Sequence, residues 1–141
     1  MQVPNNAQKY IDKEIELITP LLPALVSVIR LTVSGITSAI GFDIETIEDI
    51  KVAVSEICNK LITNDKTNDS KYAIRFSVTE QKFVITFSTH QNKEKRTNVF
   101  DEQDEFAIAI VNALVDEVTI HNANENQEII SLSVFLKGHK V

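Results

Sequence analysis

Two amphipathic helices follow one another without an intervening strand, and this succession restricts the fold more than any other feature of the sequence. From residue 24 to residue 40 the apolar residues recur at helical spacing, and Gly41 follows where a left-handed residue commonly ends a helix. Asp43 then offers an N-cap for a second helix that ends near Asn64. Its apolar stripe consists of Ile47, Ile50, Val54, Ile57 and Leu61. Both helices must bury one side against another layer.

The strands that form this second layer are predicted on both sides of the helix pair. Residues 10–18 alternate roughly by twos and predict a strand that Thr19 and Pro20 end. The other predicted elements are a hairpin of strands over 72–78 and 82–88, a polar loop over 89–101, a helix over 105–115, and strands over 117–123 and 127–137. This order predicts an α/β fold, a two-layer sandwich of a mostly antiparallel sheet with the helices on one face. The other face is one candidate dimer surface.

Composition narrows the class of protein. The chain has 141 residues, 43% of them hydrophobic, which is enough for a single domain over 1–141 with one core. The net charge is −6 and no basic stripe is present, so nucleic-acid binding is not expected. No apolar run approaches the roughly 18–20 residues that cross a bilayer, and the N-terminus lacks the apolar core of a signal peptide, so a cytoplasmic protein is expected. The single cysteine, Cys58, is predicted to be buried, and the scattered histidines predict no metal site.

The segment IRLTVSGITSAIGFDIETIEDIKVAVSEICN, residues 29–59, carries a pattern that helical periodicity alone does not generate. It contains Arg-x-Thr-x-Ser-Gly, then Glu-Asp-x-Lys-x-Ala-Val-Ser-Glu. This segment resembles the bacterial anti-sigma-factor serine kinases of the GHKL superfamily, and LVDEVTIHN, residues 114–122, resembles the segment after that family's nucleotide lid. The resemblance covers nearly the whole chain in element order. It implies the histidine-kinase-like ATPase fold and a homodimer that binds a sigma factor or an anti-anti-sigma domain.

Active members of that family hold Mg-ATP by three features. A helix carries Glu-x-x-x-Asn, in which the carboxylate is the base towards a target serine and the amide oxygen ligates Mg²⁺. An Asp-x-Gly-x-Gly loop accepts from adenine, and a glycine-rich lid closes backbone amides on the phosphates. The resemblance places Glu56 at the position of the base, but Lys60 stands four residues later. An ammonium group has no lone pair and cannot ligate Mg²⁺.

The adenine and lid motifs depart from the family as well. The family's Asp-x-Gly falls on residues 89–91, and the last lid glycine falls on Ala107. The three glycines of the chain are Gly35, Gly41 and Gly138, so none lies between residues 42 and 137. We therefore expect no Mg-ATP cofactor and a vestigial base at Glu56. The degenerate ATP positions are Lys60, Thr89, Gln91 and Ala107.

The sequence leaves alternatives open at two places. Glu56 and Lys60 form either a surface i,i+4 pair, worth roughly 0.2–0.5 kcal/mol, or a site in which Lys60 contacts a phosphate while Glu56 still acts as the base. Arg30 is either a solvated residue or, as its intact motif implies through the resemblance, the arginine that binds the protein partner. The predicted function is that of an anti-sigma-factor-like binding protein, a pseudokinase. The alternatives are an active ATP-dependent kinase that phosphorylates an anti-anti-sigma factor, and a dimerising scaffold without either activity.

Overall fold

The computed structural model describes residues 14–64, 71–89, 105–124 and 127–136. Three helices and five strands follow the predicted order. They are β1 (Ile15–Pro20), α1 (Val26–Ile40, after a short 3-10 turn over Pro23–Leu25), α2 (Ile44–Asn64), β2 (Lys71–Thr79), β3 (Lys82–Thr89), α3 (Glu105–Leu114), β4 (Glu117–Asn124) and β5 (Gln127–Phe135).

The five strands form one sheet in the order β1-β2-β3-β5-β4, and every neighbouring pair is antiparallel. Side chains alternate between its faces, as a strand period of two requires. Phe76, Ile85 and Leu132 lie in register on the face that packs on the helices, and each is at most 1% exposed. On the other face, Thr86 Oγ1 lies 3.3 Å from Ser131 Oγ. The predicted two-layer α/β sandwich, with the helices on one face, is confirmed.

The core lies between this sheet and the apolar sides of the helices. Ile29, Val33 and Ile40 of α1 have 0% exposure, and the predicted stripe of α2 is buried throughout, with Ile47 the most exposed member at 8%. Burying one such side chain stabilises the fold by about 1.5–3 kcal/mol. Cys58 is buried as predicted, and burial raises the pKa of its thiol to about 12. The thiol therefore stays protonated and unreactive near neutral pH.

The end of the first strand differs from the prediction. β1 ends at Pro20 and not at residue 18, because Thr19 still pairs with Tyr72 and Pro20 with Lys71. A proline lacks the N–H that a central strand must donate, but β1 is an edge strand, where this costs little. Residues 10–13 of the predicted strand, and residues 90–101 of the predicted loop, lie outside the described residues.

Helix α3 has the predicted position, but it buries a different side from the one predicted. The four-residue spacing of Phe106, Ile110 and Leu114 predicts that these residues are buried. Phe106 is 78% exposed, whereas Ala107 is 3% exposed and Val111 is 0% exposed. Several apolar sides are available on a helix as apolar as α3. Packing against the rest of the core determines which of these sides is buried, and the spacing of apolar residues in α3 does not show this by itself.

The turn of the β2–β3 hairpin carries backbone strain. Glu80 has φ 52° and Gln81 has φ 66°, so both central residues are left-handed although neither is glycine. A two-residue turn of this kind matches the twist of the strands and favours Asn-Gly. Side chains with a Cβ are disfavoured in this conformation by about 1 kcal/mol or more.

Replacing Glu80 by Asn and Gln81 by Gly should therefore raise the free energy of unfolding by about 1 kcal/mol. For a domain of this size that corresponds to a rise in Tm of roughly 2–4 °C, measurable by thermal denaturation followed by circular dichroism. Glu80→Asn with Gln81→Ala is the matched control, because it differs from the first variant only in keeping a Cβ at residue 81. Equal stabilisation by the alanine variant would show that the left-handed backbone is not the cause.

Candidate functional site

Helices α1 and α2 form an antiparallel pair through a short link. Gly41, with φ 104°, ends α1, and its N–H donates to the carbonyls of Thr37 and Ser38 at 3.1 Å. Asp43 begins α2, because its Oδ1 accepts from the N–H of Thr46 at 2.8 Å. Both predicted caps are thus present. They fold α2 back along α1, so that residues at similar distances from the link lie opposite one another.

Arg30 bridges the two helices of this pair. Its Nη1 donates to Ser55 Oγ at 2.8 Å, and Ser55 Oγ in turn donates to the carbonyl of Lys51 at 2.8 Å. The arginine is half-buried. Arg30 is therefore held against α2 and does not simply extend into solvent.

The solvent-facing side of α1, called the outer face below, is uncharged. It consists of Ser27, Val28, Leu31, Gly35, Ser38 and Ala39. Leu31 is 72% exposed and Val28 is 45% exposed. Arg30, at the border of this face next to α2, is the one charged residue in the helix. Two neighbouring exposed apolar side chains on an uncharged helix face are compatible with a site that binds another molecule.

The sequence of this helix contradicts the expectation that no apolar run is long enough to cross a membrane. The window Pro23–Ile40 has 18 residues and a mean hydropathy of 1.5, which is enough to cross a membrane by length and composition alone. In the fold, however, Ile29, Val33 and Ile40 of this window belong to the core and have 0% exposure. The apolar residues of α1 are thus of two kinds: some are buried in the core and others lie on the outer face.

Glu56 and Lys60 lie one turn apart on α2 and both are half-buried. The structure does not decide between the two interpretations that the sequence left open for the pair. At about 100° per residue, Glu56 is turned about 100° and Lys60 about 140° away from Ser55, which faces α1. Helix α2 also packs against α3. The position of the family's base and the position of its partner-binding arginine are therefore on different sides of α2.

The remaining ATP positions are only partly described. Thr89 is the last residue of β3, and Gln91 lies outside the described residues. Ala107 lies inside the first turn of α3 and is 3% exposed. Its Cβ is packed into the protein at the place where the resemblance puts the last lid glycine. In the described ranges no three His, Cys, Asp or Glu side chains are grouped as metal ligands.

Sequence reasoning did not identify Ser55 or Leu31 as functional candidates. A signal for Ser55 was available, since Arg30 and Ser55 lie nearly the same number of residues from Phe42 in the link. An antiparallel helix pair brings such positions together. The exposure of Leu31 depends on which side of α1 the sheet covers.

Comparisons with known proteins show which family the chain resembles. The family model described as the histidine kinase-like ATPase domain matches residues 19–134. The serine-protein kinase RsbW of Bacillus licheniformis is 30% identical, over 90% of this chain and 88% of the relative. The RsbW of Bacillus subtilis is 28% identical over the same shares.

A solved structure shares the fold. The crystal structure of the RsbU and RsbW domains of Rv1364c from Mycobacterium tuberculosis superposes with a TM-score of 0.68 at 15% identity. The match covers 88% of this chain but 32% of that one, so the chain spans about a third of that protein's length. At this identity the likeness concerns the fold alone.

Proposed function

The chain belongs to the histidine kinase-like ATPase family, and within it to the RsbW-like anti-sigma-factor serine kinases, and on that premise we propose that it is a regulatory protein that binds a protein partner through α1 without using Mg-ATP. The partner is a sigma factor or an anti-anti-sigma domain, and the protein acts in the cytoplasm as a homodimer. The observation that carries the proposal is the uncharged outer face of α1 with Arg30 at its border.

Two properties of this surface support partner binding. Protein interfaces have cores depleted in charged residues, and the outer face has Leu31 and Val28 exposed with no charge among its members. Arginine is enriched at such interfaces because its planar fork can donate two parallel hydrogen bonds to a partner carboxylate. Arg30 lies where it could make that contact while the partner covers Leu31.

The residues present do not fit the Mg-ATP that active relatives require. Lys60 offers three donors and no lone pair at the position of the metal ligand. Ala107 is buried within a helix, so its Cβ would oppose the close approach of backbone amides to phosphate that lid glycines allow. The base position, Glu56, is retained and half-buried. That retention favours the second candidate, an active serine kinase with rearranged nucleotide contacts.

Adding Mg-ATP at low millimolar concentration should leave the Tm unchanged. A ligand that binds only the folded state at a hundredfold excess over its Kd stabilises that state by about 2.7 kcal/mol, which is a shift of several degrees. Thermal denaturation with Mg-ATP, with Mg-ADP and with Mg²⁺ alone measures the effect. A clear rise with Mg-ATP, accompanied by transfer of labelled phosphate to a serine of an anti-anti-sigma protein, would establish the kinase instead.

The partner proposal is tested by capture from native cell extract on the tagged protein, with and without Mg-ATP. Mass spectrometry should identify a sigma factor or an anti-anti-sigma protein under both conditions. The purified partner should then bind the purified protein in isothermal titration calorimetry. Capture that requires Mg-ATP, or recovery of neither class of partner, would contradict the proposal.

A further inference from the structure

We propose that Ser55 is a positioning residue for Arg30, whose guanidinium it holds at the border of the outer face in an orientation suited to a partner carboxylate. This inference rests on the proposed function, in which Arg30 anchors the partner. The role of Ser55 is indirect, since the serine itself does not contact the partner.

The direction of each hydrogen bond around Ser55 is determined. Its hydroxyl has one hydrogen, which it donates to the carbonyl of Lys51 at 2.8 Å. A lone pair on the same oxygen accepts from Arg30 Nη1, also at 2.8 Å. Because the Ser55 hydroxyl is hydrogen-bonded to the backbone of α2, the oxygen that accepts from Arg30 has a fixed position. The guanidinium is thereby anchored to a rigid helix.

This anchoring leaves most of the guanidinium available. The group has five N–H donors, and Ser55 takes one of them. Within the described residues, Ser55 is the one hydrogen-bond partner of the Arg30 side chain. The edge formed by Nε and Nη2 therefore remains for the two parallel bonds that a carboxylate accepts.

Ser55 is neutral, and within the described ranges no ion pair with a carboxylate offsets the positive charge of Arg30. Arg75, on the helix-free face of the sheet, shows the contrast. Its Nε lies 2.7 Å from Glu16 Oε2 and 3.5 Å from Glu14 Oε1. Arg75 is thus already paired with acids, whereas Arg30 is oriented by a neutral group and keeps its charge for a partner.

A flexible arginine side chain loses conformational entropy when it binds, and this loss lowers the affinity. Because Ser55 holds the Arg30 side chain in place in the free protein, less entropy is lost on binding. The usual ordering cost for one side chain corresponds to about a 2- to 12-fold change in Kd. Ser55→Ala should therefore raise the Kd for the purified partner by about that factor, as measured by isothermal titration calorimetry. Ser55→Thr should restore wild-type affinity, because a threonine hydroxyl in a helix can make the same bond to the carbonyl four residues earlier.

A double-mutant cycle separates positioning from other effects of Ser55. In an Arg30→Ala background, Ser55→Ala should cause no further loss of affinity, because the serine acts only through the arginine. Ser131→Ala is the matched control, since it removes a half-buried hydroxyl from the opposite face of the sheet. It should leave the Kd unchanged.

Arg30 can also be observed in the free protein, which makes the test independent of the partner. The Nε–Hε resonance of Arg30 should show restricted motion by ¹⁵N relaxation in wild type and in Ser55→Thr, and free motion in Ser55→Ala. Unchanged motion in Ser55→Ala, or an equal loss of affinity from Ser55→Ala with and without Arg30, would overturn the role of Ser55 and leave the proposed function intact. If Arg30→Ala binds the partner as wild type does, the proposed function fails instead.

Discussion

Replacing Phe83 by alanine should lower the free energy of unfolding by about 3–5 kcal/mol, the largest loss of stability that we expect from a single side chain. Phe83 is 0% exposed, and its ring centroid lies 6.0 Å from that of Phe42 and 6.5 Å from that of Phe76. Phe76 belongs to the sheet and Phe42 to the link between α1 and α2. Truncation at Phe83 would therefore leave a cavity where the helix pair joins the sheet.

Urea denaturation followed by circular dichroism measures this loss. Because small domains have total stabilities of about 5–15 kcal/mol, the variant should retain about 0–12 kcal/mol and unfold at a clearly lower urea concentration than wild type. Phe106→Ala is the matched control, because Phe106 is 78% exposed and its removal should change stability by less than about 0.5 kcal/mol. A loss below 1 kcal/mol at Phe83 would contradict the packing at this junction.

The parts of the fold that depend on local chemistry could be predicted from the sequence. Gly41 ends α1 because it can adopt a left-handed backbone. Asp43 begins α2 because its carboxylate accepts a hydrogen bond from the N–H of Thr46, three residues later. Both effects involve only neighbouring residues. The parts that depend on distant residues could not be predicted. Pro20 continues β1 only because β1 is at the edge of the sheet, and Phe106 is exposed only because the core takes Ala107 and Val111.

The same division applies to the candidate site. The resemblance identified Glu56, Lys60 and Arg30 as positions of interest, since these belong to one continuous segment of sequence. The resemblance did not indicate that Arg30 donates a hydrogen bond to Ser55, because that contact depends on how the two helices are aligned in their packing. Nor did it indicate that Glu56 and Arg30, the positions that the resemblance gives to the base and to partner binding, lie on different sides of α2. Residue identity thus suggested the chemistry, and packing determined which side chains act together.

Arg30→Ala should weaken binding of the purified partner by roughly thirtyfold or more, since anchoring arginines at interfaces lose about 2 kcal/mol or more on truncation. A partner carboxylate bound to Arg30 as proposed would lose both hydrogen bonds and would be left buried without a counter-charge. Arg30→Lys should recover only a small part of the affinity, because an ammonium group cannot reproduce the planar fork. Isothermal titration calorimetry at two salt concentrations measures the affinity and its electrostatic part.

The hydrogen bond to Ser55 changes what is expected for the stability of that variant. A fully solvated arginine could be truncated with almost no effect on the Tm, but losing this bond should lower the free energy of unfolding by about 0.5–1.5 kcal/mol. Arg75→Ala is therefore the appropriate control, because it removes an exposed ion pair with Glu16, worth about 0–1 kcal/mol, from the other layer of the fold. Both variants should be slightly less stable than wild type, and only Arg30→Ala should lose the partner. If both retain wild-type affinity, Arg30 has only a structural role between α1 and α2, and the proposed binding of the partner through α1, with Arg30 as its anchor, fails.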